Sequence, residues 1–178
     1  MIFSNQFEKV NYCIYSWYHV GTNKYSEREL IKLDTQIITK LKILKPTDVV
    51  FEAIVDPEKM GNYWFSSGTA RVEQGKTITW RYEEYNAEGV INVVEVDDNE
   101  KIVFSWGEED QETIVTITLE KLDESSTIIK VVESGLKEND PELVNKMLGQ
   151  KEGWVYMLTC LKGYLENGVN TLRSSLVH

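Results

Sequence analysis

Histidine is almost missing from this 178-residue chain, and the two present, His19 and His178, sit near its ends. A His-based hydrolase or a multi-His metal site has little to build on. Cysteine is as scarce. Cys13 and Cys160 lie far apart in sequence and form no disulfide framework, so reduced thiols are expected. Basic residues are outnumbered, with 19 Lys+Arg against 29 Asp+Glu and a net charge of -10. That balance argues against nucleic acid, which needs a basic stripe, and against docking on an anionic membrane. No apolar run approaches the ~20 residues of a membrane-spanning helix. The first residues lack a basic n-region and a small-residue cleavage site, so a cytoplasmic location is expected. Zinc-ligand spacing, a P-loop and a dinucleotide glycine motif are also missing, so neither metal nor cofactor is expected.

What is present is enough apolar material, 42% of residues, for one sizeable core. Its distribution divides the chain. Residues 1–33 are rich in aromatics (Phe3, Phe7, Tyr12, Tyr15, Trp17, Tyr18, Tyr25) and carry a formal charge of +1, which places -11 on residues 34–178. In the first segment neither the helical nor the strand period persists, although Tyr12 to Tyr18 has the composition of a strand. It is read as an N-terminal extension of unsettled structure: an added edge element, a partner-binding arm, or a segment not needed for folding. Exposed aromatics there would point to a partner contact or a homodimer.

From Asp34 the pattern is regular. Thr35 to Ile43 alternates as a strand with Ile37, Thr39, Leu41 and Ile43 on one face. Pro46, Pro57 and Pro141 each precede a helical pattern, where a missing N–H costs nothing. Pro46 to Ile54 and Asp56 to Met60 read as two short helices, the second capped by Asp56. Six strand candidates follow: Thr69 to Glu73, Thr77 to Tyr85, Gly89 to Val96, Lys101 to Trp106, Thr113 to Leu119 and Ser126 to Glu133. Their short connections dictate an antiparallel meander, since parallel pairing needs a crossover of about a dozen residues. From Asp140-Pro141 to about Leu172 a helical stripe runs through Leu143, Met147, Gln150, Trp154, Leu158, Leu161 and Leu165. Met157 and Tyr164 flank it, and Cys160 falls off its apolar centre.

Strand, two short helices, meander and long C-terminal helix is the order of the helix-grip fold. Lys45-Pro46-Thr47-Asp48-Val49-Val50-Phe51-Glu52-Ala53-Ile54, followed by Asp56-Pro57-Glu58 and Tyr63-Trp64-Phe65, resembles the opening of one START-like (SRPBCC) family. So do Val93 to Val96 with Lys101 to Trp106, the strand Thr113 to Leu119, and Gly149-Gln150-Lys151-Glu152-Gly153-Trp154 with Leu158 to Leu165. The family is that of the activator of heat-shock protein 90 ATPase homologues, and the resemblance spans Asp34 to about Asn167. It implies an α+β helix-grip domain over residues 34–178, with a curved antiparallel sheet of about seven strands gripping the C-terminal helix. It supplies no invariant catalytic set.

Such a fold leaves space between sheet and helix. Trp64, Phe65, Trp80, Tyr82, Phe104, Trp106, Met147, Trp154 and Met157 are its candidate lining, a set suited to a small apolar or amphipathic ligand. Core packing is the ordinary role of each such side chain. Gln150, in the middle of the apolar stripe, must find a partner: a protein group such as a strand or short-helix backbone, water, or the polar group of a ligand. Arg71 and Arg81 are expected to face outward and balance nearby acids. The groups Glu83-Glu84, Glu108-Glu109-Asp110 and Asp97-Asp98 read as solvated loop charge, since adjacent strand residues point to opposite faces. The leading reading is a non-catalytic binder of small hydrophobic molecules. The resemblance adds a co-chaperone-like module acting on a heat-shock-90-type ATPase, and the superfamily a cyclase or hydrolase. The three remain open at this level.

Overall fold

The computed structural model of the protein describes residues 34–175. The expectations for residues 1–33, for Cys13 and for both histidines lie outside the described residues.

The elements run β1 (Ile37–Ile43), α1 (Thr47–Val55), α2 (Pro57–Met60), β2 (Ser67–Gly68), β3 (Thr77–Tyr82), β4 (Ala87–Asp97), β5 (Lys101–Trp106), β6 (Thr113–Asp123), β7 (Ser126–Ser134) and α3 (Leu143–Asn167). Seven antiparallel strands pair in the order β1-β7-β6-β5-β4-β3-β2. Thus β2 to β7 form the expected meander, and β1 returns beside β7 with Ile37 opposite Glu133 and Ile43 opposite Thr127. This is the helix-grip α+β fold.

Alternation decides which side of the sheet faces the helix. Ile37, Thr39 and Ile43 on β1, Ile78 and Trp80 on β3, Ile102 and Phe104 on β5, Val115 and Ile117 on β6, and Ile129 and Val131 on β7 are all buried. Their odd neighbours out, such as Ile38, Val90 and Ile114, stay exposed. From the other side α3, about 37 Å long at 1.5 Å per residue, buries Trp154, Met157, Leu158 and Leu161 against them. Cys160 is buried too, at 2% exposure, so its expected place off the apolar centre is corrected: the stripe is wide enough to include it. Burial raises its thiol pKa.

Local chemistry sets the ends of the elements. Asp56 caps α2, its Oδ1 accepting the Glu58 N–H at 2.9 Å. The long helix stops short of Leu172 because Gly168 takes φ +67°, and its N–H and that of Val169 turn back to Tyr164 and Gly163 carbonyls. Residues 69–73 do not form the expected strand. Pairing is confined to Ser67–Gly68, and beyond Thr69 the chain leaves β3 for the end of α1. There the Val72 N–H bonds the Val55 carbonyl at 3.0 Å and Arg71 forks onto Glu52. Strand β3 likewise ends at Tyr82, where Glu83–Tyr85 closes a single 3-10 turn finished by Asn86 at φ +47°. The outer edge of β1 is occupied by side chains of α3: Lys151 donates to the Ile38 carbonyl, Lys162 to that of Lys42 at 2.8 Å, and Glu166 accepts the Leu44 N–H at 2.6 Å. That edge is thereby blunted against pairing with another strand.

Candidate functional site

The strands that turn toward α3 carry an unbroken group of rings. Trp64 touches Phe65, Trp80 and Trp154 with centroids 4.9, 4.8 and 5.6 Å apart, and Trp106 stacks on Trp154 at 5.2 Å. Phe104 meets Trp80 and Trp106 edge-on at 5.3 and 5.7 Å. These offset and edge contacts are the favoured geometries of aromatic pairs.

In the middle of this apolar group lies a carboxylate. Glu133 is fully buried, at 0% exposure. Its Oε1 accepts the Trp106 indole N–H at 2.9 Å and the Thr113 hydroxyl at 2.6 Å, and its Oε2 accepts the Trp154 indole N–H at 2.7 Å. The donors come from β5, β6 and α3, so one side chain of β7 ties the helix to three adjacent strands. No lysine or arginine pairs with Glu133 among the described residues. Reading the sequence for acid pairs passed over this residue. The signal was there: Ile129, Val131 and Glu133 share one parity, and the first two point inward.

Between the rings and the rim of the sheet is a cavity of about 1200 Å³. Phe65, Trp80, Tyr82, Trp106 and Gln150 of the expected lining form part of its wall. A second cavity of about 250 Å³ is bounded by Trp64, Met157, Tyr156 and Arg173, and Tyr82 and Tyr85 belong to both walls. Phe104, Trp154 and Met147 stand on neither; the first two are held inside the ring cluster, and Met147 packs half-buried against it. Gln150 makes no hydrogen bond to the described residues, so the expected backbone partner is not there, and its half-buried amide faces the cavity unpaired. The buried indole N–H of Trp80 is unpaired as well. Gly89, directly opposite Trp80 in the β3–β4 register, belongs to the same wall and borders open space. A Cβ built there meets nothing within 4 Å, a known use of strand glycine where another group must come close.

The rim is polar. Lys146 bridges Asp140 at 2.6 Å and Gln111 at 3.0 Å, and Arg81 pairs outward with Glu88 at 3.3 Å. Arg71 and Arg81 therefore both balance nearby acids, as expected from sequence, and neither lines the cavity. Glu84, in contrast, is not simply solvated. Its backbone N–H, Ser66 and Arg173 hold its carboxyl below the usual range. The segment after Gly168 is pinned here: Arg173 forks onto Glu84, lies 5.5 Å over the Tyr82 ring and accepts the Tyr82 hydroxyl at its carbonyl. Burial pushes the Tyr82 phenol up to about 12. Among the described residues no cluster of His, Cys, Asp and Glu could hold a metal ion.

A family model described as activator of Hsp90 ATPase homolog 1-like protein matches residues 45–166, more than half of the chain. The chain belongs to that family. A structural-genomics protein of Staphylococcus saprophyticus shares 51% identity over 76% of this chain and 94% of its own, with a TM-score of 0.67. Two more distant structures share the fold. One is the Aha1 dimer of Colwellia psychrerythraea, at 18% identity over 75% of this chain and 97% of that one, TM-score 0.65. The other is a START superfamily protein of Mycobacterium smegmatis, at 17% over 75% and 99%, TM-score 0.58. No protein of curated function matches the chain. No helix among the described residues is long and apolar enough to cross a membrane. Matched residues 45–166 take in the ring cluster, Glu133 and Gln150, so the family's domain and the cavity share one part of the chain.

Proposed function

We propose that this domain binds a small, largely apolar molecule in the cavity between sheet and α3. The observation that carries the reading is the aromatic-walled space that Gly89 and Gln150 border, where the Gln150 amide has no hydrogen-bond partner among the described residues. Ligand sites are typically concavities of about 300–1,000 Å³ with mostly apolar walls and a few placed polar groups. The cavity here is of that order, and Gln150 is the group that would orient an occupant. The wall hydroxyl of Thr113 meets the Glu133 carboxylate, but both oxygens of that carboxylate are also engaged by indole N–H donors that tie β5 and α3 together, which favours a structural over a basic role.

Gly89→Leu tests the reading, because the new side chain projects into open space and touches no neighbour at its Cβ. N-phenyl-1-naphthylamine, an apolar dye that brightens out of water, is titrated into both proteins. Binding by the native chain, with an affinity loss of about tenfold or more in Gly89→Leu, is expected. Thermal unfolding of the variant should stay within about 1 kcal/mol of the parent. Equal dye binding by both folded proteins would refute the reading.

A further inference from the structure

We infer that the occupant of this cavity is an amphiphilic monocation, an ammonium carried on an aromatic or alkyl body, rather than an anionic lipid; the inference rests on the ligand-binding reading above. The charges around the cavity nearly cancel in number. Lys146 is taken by Asp140 and Glu88 by Arg81, while Glu108 and Lys137, of opposite sign, form no ion pair among the described residues. The charge left over is Glu133.

Three N–H or O–H donors aim at its two oxygens, the pattern a carboxylate acting only as acceptor takes, and all three are neutral groups. Two of the donors, Trp106 and Thr113, are themselves wall residues of the cavity. A carboxylate without a counter-ion therefore sits one side chain behind the wall, where bulk water does not screen it. Donating to an anion enriches the electron density of the Trp106 ring, and rings of Phe65, Trp80, Tyr82 and Tyr85 share the same wall. Aromatic faces attract ammonium groups, most of all where water is excluded. The same carboxylate repels a fatty acid head group. No arginine lines the cavity to anchor one; its lysines are Lys146, held by Asp140, and Lys137.

Displacement of bound N-phenyl-1-naphthylamine by three ten-carbon amphiphiles below their micelle concentrations tests this. They are decyltrimethylammonium, decanol and decanoate, alike in body and different in head-group charge. The cation should displace the dye at a concentration about tenfold or more below that of decanoate. The ratio should persist at about 1 M NaCl, where surface charges are screened within about 3 Å but a buried one is not. Glu133→Gln should bring the ratio of cation to decanoate potency to within about twofold. If that variant does not fold, the ratio in the native protein at high salt decides. Equal potency of the three, preference for decanoate, or a cation preference abolished by salt would each overturn the inference and leave the binding reading intact. Failure of the dye to bind, or of all three amphiphiles to displace it, would overturn that reading itself.

Discussion

Replacing Glu133 by Gln leaves its shape and takes away both its charge and one of its two acceptors. With the amide oxygen at the Oε1 position, Trp106 and Thr113 keep their partner, but the amide nitrogen then confronts the Trp154 indole N–H. One charge-assisted bond of about 1.5–3 kcal/mol is exchanged for a donor–donor conflict, and two others become neutral bonds of about 1 kcal/mol. Relief from burying a charge returns part of this. We expect a net loss of about 3 kcal/mol. With a urea m-value of about 2 kcal/mol/M, the unfolding midpoint should fall by about 1.5 M. Trp154→Phe removes the conflicting donor, so in the double variant the Gln nitrogen no longer opposes an N–H. The cycle should therefore show a coupling of about 1.5–3 kcal/mol between positions on β7 and α3. Urea unfolding followed by far-ultraviolet circular dichroism measures all four proteins. Additivity within about 0.5 kcal/mol would refute the idea that this carboxylate fastens the helix to the sheet.

Two further outcomes follow from groups at the periphery. Arg173→Ala removes the fork onto Glu84 and the cation over Tyr82 at once, and should cost about 1–2 kcal/mol, read as a lowered melting temperature; an unchanged melt would mean that the segment after Gly168 does not brace the second cavity. Acid should destabilise the domain, because Arg71 holds Glu52, and Ser126 and Ser125 hold Asp123, below their ordinary values, Asp123 at about 2. Folded-state pKa values depressed in this way contribute stability that is full above the unfolded carboxylate range near pH 4.5 and is lost as the pH falls through the folded values. Melting temperatures from pH 7 to pH 3 should decline below about pH 4.5, and a flat profile would contradict the assignment.

Period and punctuation carried most of the architecture. Alternation in Thr113–Leu119, the three prolines and the stripe from Leu143 to Leu165 are local records of which face is wet, and they led to the right strand order and helix. Residues 69–73 were misread because β-like composition is also what a half-buried irregular segment needs. Only the Val55 carbonyl and Glu52, brought close by α1, draw that stretch off the sheet.

For the site the division is sharper. The sequence by itself marked Trp80, Trp106 and Gln150 as candidates for the space between sheet and helix. Which of these rings face space and which merely pack together depended on distances between elements far apart in the chain. Gly89 opposite Trp80 borders open space, while Phe104 and Trp154 are closed in by their neighbours. Glu133 is the plainest case: a lone acid at a strand end looks solvated until β5, β6 and α3 bring three donors to it. A buried carboxylate is tolerable only through partners, and partners from three other elements exist only in the folded chain.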